Sequence, residues 1–259
     1  MARWYFWNEK RFSGVYENIY IRAVREDWFN IIFKMANEVN SMKTQRKMIL
    51  DIGCGEGHTT KQVLDRVEGS YACDLLEPDK RALASAMTFL KLENNIGVCY
   101  PETLADFRTT KKYDVIFTSH TNYYWALDKK GFDSQLGKLL SMLKSDGKLI
   151  ILTLPEESDH YNIMLKQIYP KFNYAQYIIN FYKKLGLKVR FTKLRMRFFV
   201  GDILSTEKTF DLKSFYQFIH NTKHHPNEME CREFRGNIEK YHKSGYLDFK
   251  DYLIVVEPH

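Results

Sequence analysis

The chain has 259 residues, 44% of them hydrophobic and 15% aromatic, which supplies a core for one large domain and excludes a disordered chain. Its +7 net charge admits a nucleic-acid partner, but the Lys and Arg residues are scattered and mass in no basic block. Cys54, Cys73, Cys99 and Cys231 form no CxxC pair, no run approaches 18 apolar residues, and the opening MARWYFWNEKRF lacks a signal peptide's apolar stretch. The expectation is therefore a soluble, cytoplasmic protein with no membrane contact, disulfide framework or metal site.

Residues 1–46 read as a helical lead-in, with Tyr16, Ile19, Tyr20, Ala23 and Val24, then Trp28, Ile31, Ile32 and Met35, at helical spacing. From Met48 short apolar runs alternate with amphipathic segments. Strands are predicted at 48–52, 71–76, 96–100, 113–118 and 148–154, with helices at 58–67, 79–91 and 133–144 between them. Alternation of this length predicts a parallel sheet with right-handed crossovers. Beyond Pro155 come a helical stretch to Tyr169 and a helix at 174–185 stopped by Gly186. A long strand is predicted at 187–198 and a last strand at 252–257. Between them, residues 199–246 form a polar and aromatic insertion with helices at 211–221 and 228–243.

The most informative segment is Asp51-Ile52-Gly53-Cys54-Gly55-Glu56-Gly57, in which an apolar strand ends in three closely spaced glycines and a helix follows at once. Glycine is needed where the backbone turns tightly and a ligand presses against it. A dinucleotide loop has the spacing GxGxxG and aims a helix N-terminus at pyrophosphate. Here the spacing is GxGxG, and Asp51 and Glu56 would repel a pyrophosphate while suiting a sulfonium and an ammonium group. Glu77 closes the next predicted strand just before Pro78, 24 residues after Gly53. A carboxylate there can accept hydrogen bonds from both hydroxyls of a ribose, and it also suits a helix start.

These residues resemble motif I of class I S-adenosylmethionine-dependent methyltransferases, an apolar strand followed by (D/E)xGxGxG. The resemblance implies a doubly wound, Rossmann-like, seven-stranded mixed sheet with a helical N-terminal lead-in and an insertion before the last strand. It implies S-adenosylmethionine as cofactor and S-adenosylhomocysteine as product. Asp51, Gly53, Gly55, Glu56 and Gly57 would lie beneath the methionine part, and Glu77 with Pro78 at the ribose. The turn Thr103-Leu104-Ala105 would hold the adenine, and Ser119-His120 would line the cofactor.

The sequence after strand four, Ser119-His120-Thr121-Asn122-Tyr123-Tyr124, lacks the (D/N)PP(Y/F) of nucleic-acid amino methylation. LLEPD, the paired tyrosines, KLIILTLPEESDHYNIMLKQIYPKF, KKLGLKV and the closing LIVVE resemble the histamine N-methyltransferase-like family, in order. That resemblance implies a small-molecule acceptor, an amine or imidazole nitrogen. It makes residues 1–46 a lid, residues 47–259 the methyltransferase domain, and the 199–246 insertion a substrate cap. Tyr123 and Tyr124 are the candidate acceptor wall, since a ring face attracts an ammonium by about 0.5–2 kcal/mol, although two such rings can equally pack a helix start. Tyr16, Glu17, His160 and Tyr161 are further acceptor candidates. His120, as an imidazole titrating near neutrality, is the candidate general base. Methylation of RNA or protein, and a non-catalytic scaffold of the same fold, remain as alternatives.

Overall fold

The computed structural model describes residues 25–90, 95–126, 128–159, 161–165, 172, 174–201, 204, 212–213, 215–216 and 226–258. Within them, helix α1 (Arg25–Asn40) precedes β1 (Arg46–Ile52), α2 (His58–Leu64), β2 (Ser70–Leu76), α3 (Lys80–Leu90) and β3 (Ile96–Tyr100). Then come β4 (Tyr113–Ser119), a 3-10 turn (Asn122–Tyr124), α4 (Lys129–Met142), β5 (Leu143–Thr153) and a π-helical turn (Tyr161–Leu165). Helix α5 (Ala175–Lys184), β6 (Lys188–Phe199), α6 (Glu228–Tyr241) and β7 (Tyr246–Glu257) complete the described chain. The strands form one seven-stranded sheet in the order β3-β2-β1-β4-β5-β7-β6. Neighbours among β1 to β5 run parallel, and β7 runs antiparallel to both β5 and β6. The expected doubly wound, Rossmann-like mixed sheet is thus the fold.

Both faces of the sheet are covered, which is why its inner strands are apolar along their whole length. One face packs Ile49, Leu75, Phe117 and Leu152 against α1, α2 and α3 through Ile31, Met35, Val63 and Ala86. The other packs Leu50, Ile116 and Ile254 against α4 and α5 through Phe132, Leu136 and Ile178. A third cluster, rich in rings, joins Tyr123, Tyr161 and Tyr174 to Phe198, Phe234 and Phe249 beneath α6. The described part of the expected N-terminal lid is therefore a core helix. Residues 1–24, including Tyr16 and Glu17, lie outside the described residues, as does most of the helix expected at 211–221.

Two strands extend further than the sequence pattern predicts. β5 begins at Leu143, before the expected strand start at 148 and inside the expected helix end, and its pairing with β4 shifts register between Tyr113 and Val115. Gly147 lies under the carbonyls there, and a Cβ on it would come within 2.9 Å of the Tyr113 oxygen. β7 begins at Tyr246, because twelve consecutive residues pair with β6 well beyond the end of β5.

A buried carboxylate stitches the open side of the sheet. Asp74, on β2, accepts from the Val98 amide at 2.8 Å and the Tyr113 hydroxyl at 2.9 Å, and pairs with Lys111 at 2.8 Å. It is a structural group, away from the ligand end of β2. Asp74→Ala is expected to cost about 2–4 kcal/mol, because three donors lose a charged acceptor. Urea unfolding measures it; a loss below about 1 kcal/mol would mean that water replaces those bonds freely.

Candidate active site

The strand order reverses between β1 and β4, and in an open parallel sheet the ligand crevice lies outside the carboxyl ends of the strands at such a point. Three elements meet there: the glycine loop after β1, Glu77 after β2, and the segment Ser119–Thr121 after β4. Gly53 and Gly55 have φ of 72° and 53°, values that side chains adopt at a cost of about 1–3 kcal/mol. Gly53 also meets the β4 loop, since a Cβ on it would collide with the Thr121 methyl. At Gly55 an added Cβ would meet nothing within 4 Å, so this part of the loop faces open space. Gly57, expected at the cofactor, is buried at the start of α2 and lies against Ala86 and Leu90. Its Cα side is a packing surface.

Glu77 is 8% exposed and ties the two loops together. Its Oε2 accepts from the Gly55 amide at 3.0 Å and its Oε1 from the Asp79 amide at 3.0 Å. A carboxylate has about four acceptor sites, so two remain for hydroxyl donors. Asp51 is 3% exposed and accepts from the Thr60 hydroxyl at 2.5 Å. Burial pushes both acids up to about 7; hydrogen bonds to Glu77 and Asp51 pull the other way, and the Glu77 charge adds to the rise at Asp51. Two buried carboxylates around an open glycine loop suit a ligand that brings positive charge and a vicinal diol. The donor set therefore fits S-adenosylmethionine, with its sulfonium, ammonium and ribose.

Other expected contacts sort differently. Pro78 is half-buried beside Glu77 at the crevice. Glu56 lies 3.6 Å from His58 and is partly exposed, pairing within its own loop. Thr103 bonds Asp106 at 2.6 Å in a turn beyond β3. The Leu104 side chain is buried in the core and its carbonyl accepts from Lys138 at 2.6 Å, so its side chain does not line the crevice. Ser119 is half-buried at the end of β4. His120 is the next residue, with its Nδ1 3.3 Å from the Tyr123 hydroxyl.

Tyr123 is 3% exposed, and its hydroxyl accepts from the Leu154 amide at 2.8 Å and the Thr153 hydroxyl at 3.2 Å. Its ring packs near Tyr124 and Tyr174. The open cation–π face expected of it is absent; it supports His120 from beneath, while Tyr124 is half-buried. Tyr161 is likewise buried, edge-on to Tyr174 at 4.5 Å. His160 lies outside the described residues. The sequence reasoning missed Thr121, whose methyl sets the distance between the two loops, and Asp251 on β7, whose Oδ2 is 3.6 Å from His120 Nε2. Asp251 is a charged residue next to an apolar strand run, a signal that a longer final strand would have exposed. Among the described residues no three His, Cys, Asp or Glu are placed to hold a metal ion, and no helix is long and apolar enough to cross a membrane.

A doubly wound sheet with an antiparallel β7, a glycine loop after β1 and an acid closing β2 defines a methyltransferase fold. Residues 20–194 match the family described as a methyltransferase domain, and the chain belongs to that family. It is 28% identical over 134 residues to malonyl-[acyl-carrier protein] O-methyltransferase 2 of Ilyobacter polytropus, covering 51% of this chain and 49% of that protein. It is 34% identical over 122 residues to the protein of the same name from Coxiella burnetii, covering 45% and 44%. The alignments thus span about half the length of these curated relatives. Magnesium protoporphyrin IX methyltransferase of Synechocystis, solved with bound SAM, shares the fold with a TM-score of 0.57 at 12% identity, covering 99% of this chain and 95% of that one.

The two loop glycines should respond differently to alanine. Gly53→Ala is expected to lower stability by about 2–4 kcal/mol in urea unfolding, from the left-handed backbone plus the Thr121 clash. Gly55→Ala is expected to cost only about 1 kcal/mol of stability while weakening S-adenosylhomocysteine binding in calorimetry; unchanged affinity would remove Gly55 from the ligand wall. The two raised acids set a pH dependence. The folded protein holds their protons to about pH 7, whereas the unfolded chain releases them near 4. Their contribution is therefore complete below about pH 4 and is lost as pH rises through about 7. The ligand-free melting temperature is expected to fall across that window, with a shallower slope in Glu77→Gln.

Proposed function

We propose that the chain transfers a methyl group from S-adenosylmethionine to a small-molecule acceptor bearing an amine or imidazole nitrogen. The observation that carries the donor half is the pairing of Gly55 with the buried Glu77 carboxylate beside open space. When bound, S-adenosylmethionine supplies an electrophilic methyl, which the acceptor lone pair takes as the C–S bond breaks and its electrons return to sulfur. The chain's own part is to bind, orient and exclude water, which supplies most of the acceleration of such a displacement. Glu77 grips the ribose, and Asp51 offers a negative charge beneath the loop. On the acceptor side, His120 stands at the end of β4, and the ring-rich cluster beneath α6 lies behind it.

The basic charge does not favour an RNA substrate. Arg190, Arg195 and Arg197 on the edge strand β6 each pair with an acid: Glu38, Asp248 and Asp27 respectively. A second reading, methylation of a carboxylate on a carrier-protein-linked malonyl group, is favoured by the likeness to the two malonyl-[acyl-carrier protein] O-methyltransferases.

S-adenosylhomocysteine is expected to bind with saturable heat and to raise the melting temperature. Labelled methyl from S-adenosylmethionine is expected to appear on histamine or a related small amine. Transfer to malonyl-acyl carrier protein in place of the amines would select the second reading. Absence of heat and of any thermal shift would leave only a scaffold that retains the fold.

A further inference from the structure

His120 occupies a place that a histidine does not adopt without support. Its φ is 55°, in the left-handed region, and its amide is held by the Leu152 carbonyl at 2.9 Å. A non-glycine residue there costs of order 1–3 kcal/mol, and such strain concentrates at functional sites. The consequence is that the imidazole is turned across the end of β5 toward β7. β7 runs antiparallel, so its early residues lie at the same edge of the sheet as the carboxyl ends of the parallel strands. Asp251 sits just before Tyr252, which is the last β7 residue paired with β5, opposite Thr153.

Asp251 is fully buried, and among the described residues neither of its carboxylate oxygens has a hydrogen-bond partner. It lies opposite Leu194 on β6, with Phe249 and Leu253 as its neighbours two residues away on the same face. An ionised carboxylate in such surroundings is costly unless a cation stands by. The group that does so is His120, whose Nε2 lies 3.6 Å from Oδ2. The Tyr123 hydroxyl accepts from the Leu154 amide and the Thr153 hydroxyl and lies 3.3 Å from His120 Nδ1. A carboxylate, which can only accept, facing Nε2 favours the tautomer with the hydrogen on Nε2, and that leaves Nδ1 proton-free. Among the described residues, Tyr123 and Asp251 are the titratable groups that face the imidazole. His120 keeps 24% of its side chain exposed, which leaves an edge toward the crevice.

We propose that Asp251 is a positioning residue that orients His120 through Nε2, so that Nδ1 takes the proton that the acceptor sheds on methylation. This rests on the methyl-transfer reading above and deepens it, because an ammonium or hydroxyl acceptor must lose a proton and a carboxylate need not. The proton passes from the acceptor heteroatom to Nδ1, and the long Tyr123 contact gives way. The resulting imidazolium is balanced by Asp251, then returns its proton to solvent through the exposed edge. The arrangement follows the logic by which a buried carboxylate holds a catalytic imidazole in one tautomer.

The test uses the full chain labelled with nitrogen-15 at histidine, with His120→Asn to assign the resonance. The wild-type protein is expected to show the Nε2–H tautomer at His120. In Asp251→Asn the proton affinity of the imidazole is expected to fall roughly tenfold or more, with mixed tautomers, while S-adenosylhomocysteine affinity stays within about twofold. An Nδ1–H tautomer in the wild type, or an unchanged titration in Asp251→Asn, would overturn the proposal. If that variant does not fold, the wild-type tautomer decides alone. Failure of the wild type to bind S-adenosylhomocysteine would instead sink the methyl-transfer reading, and is read out separately.

Discussion

The site depends on one close approach, that of the Gly53 backbone to the Thr121 side chain. β1 and β4 are neighbours in the sheet, but their following loops can share a crevice only if one of them carries no Cβ at the crossing. With glycine there, the β1 loop turns toward β2, where Glu77 receives the Gly55 amide. The β4 loop turns the other way, toward β5, and carries His120 with it. Glu77 and His120 thus lie on opposite sides of a single steric contact.

The acids of the sheet fall into two groups with different physical roles. Asp74 and Asp114 are buried but compensated. Asp74 has Lys111, Tyr113 and the Val98 amide, while Asp114 has Lys144 at 2.8 Å and the Met48 amide at 2.7 Å. Asp51, Glu77 and Asp251 are buried without a lysine or arginine beside them among the described residues. Asp51 and Glu77 stand at the carboxyl ends of β1 and β2, and Asp251, within β7, lies next to the residue paired with the carboxyl end of β5. Where compensation is complete the carboxylate serves the fold. Where it is incomplete, the missing positive charge is one that a ligand or a proton can bring, and stability given up in the empty state reappears as binding or as proton affinity.

Much of this was legible in the sequence because the signals were local. Strands β1 to β4 are apolar runs bounded by turn residues, and the loop Gly53–Gly57 needs nothing beyond its own backbone to be recognised. The start of β5 was not legible, because Ser145-Asp146-Gly147 has turn chemistry and becomes strand only through pairing with β4. Tyr123 stayed open between binding wall and packing for a related reason: only the carboxyl end of β5 shows that its hydroxyl is already engaged. Asp251 escaped because the apolar run begins at Tyr252. Its membership in β7 is set by β6, a partner more than fifty residues earlier, and no periodicity within the strand announces it.

The same boundary separates two kinds of information along the chain. The family match ends at residue 194, so it contains the glycine loop, Glu77 and His120 but not Asp251. Residues that hold a common donor must satisfy one fixed chemistry, an open loop and an acid at a strand end, and a family pattern captures them. Residues that serve an acceptor answer to whatever molecule arrives, and under the proposed reading Asp251 on β7 is one of them. A pair built from one residue on each side of that boundary couples the shared half of the enzyme to its particular half. The strained His120 backbone is the physical form of that coupling, since the imidazole leaves the donor loop in order to meet a carboxylate on the last strand.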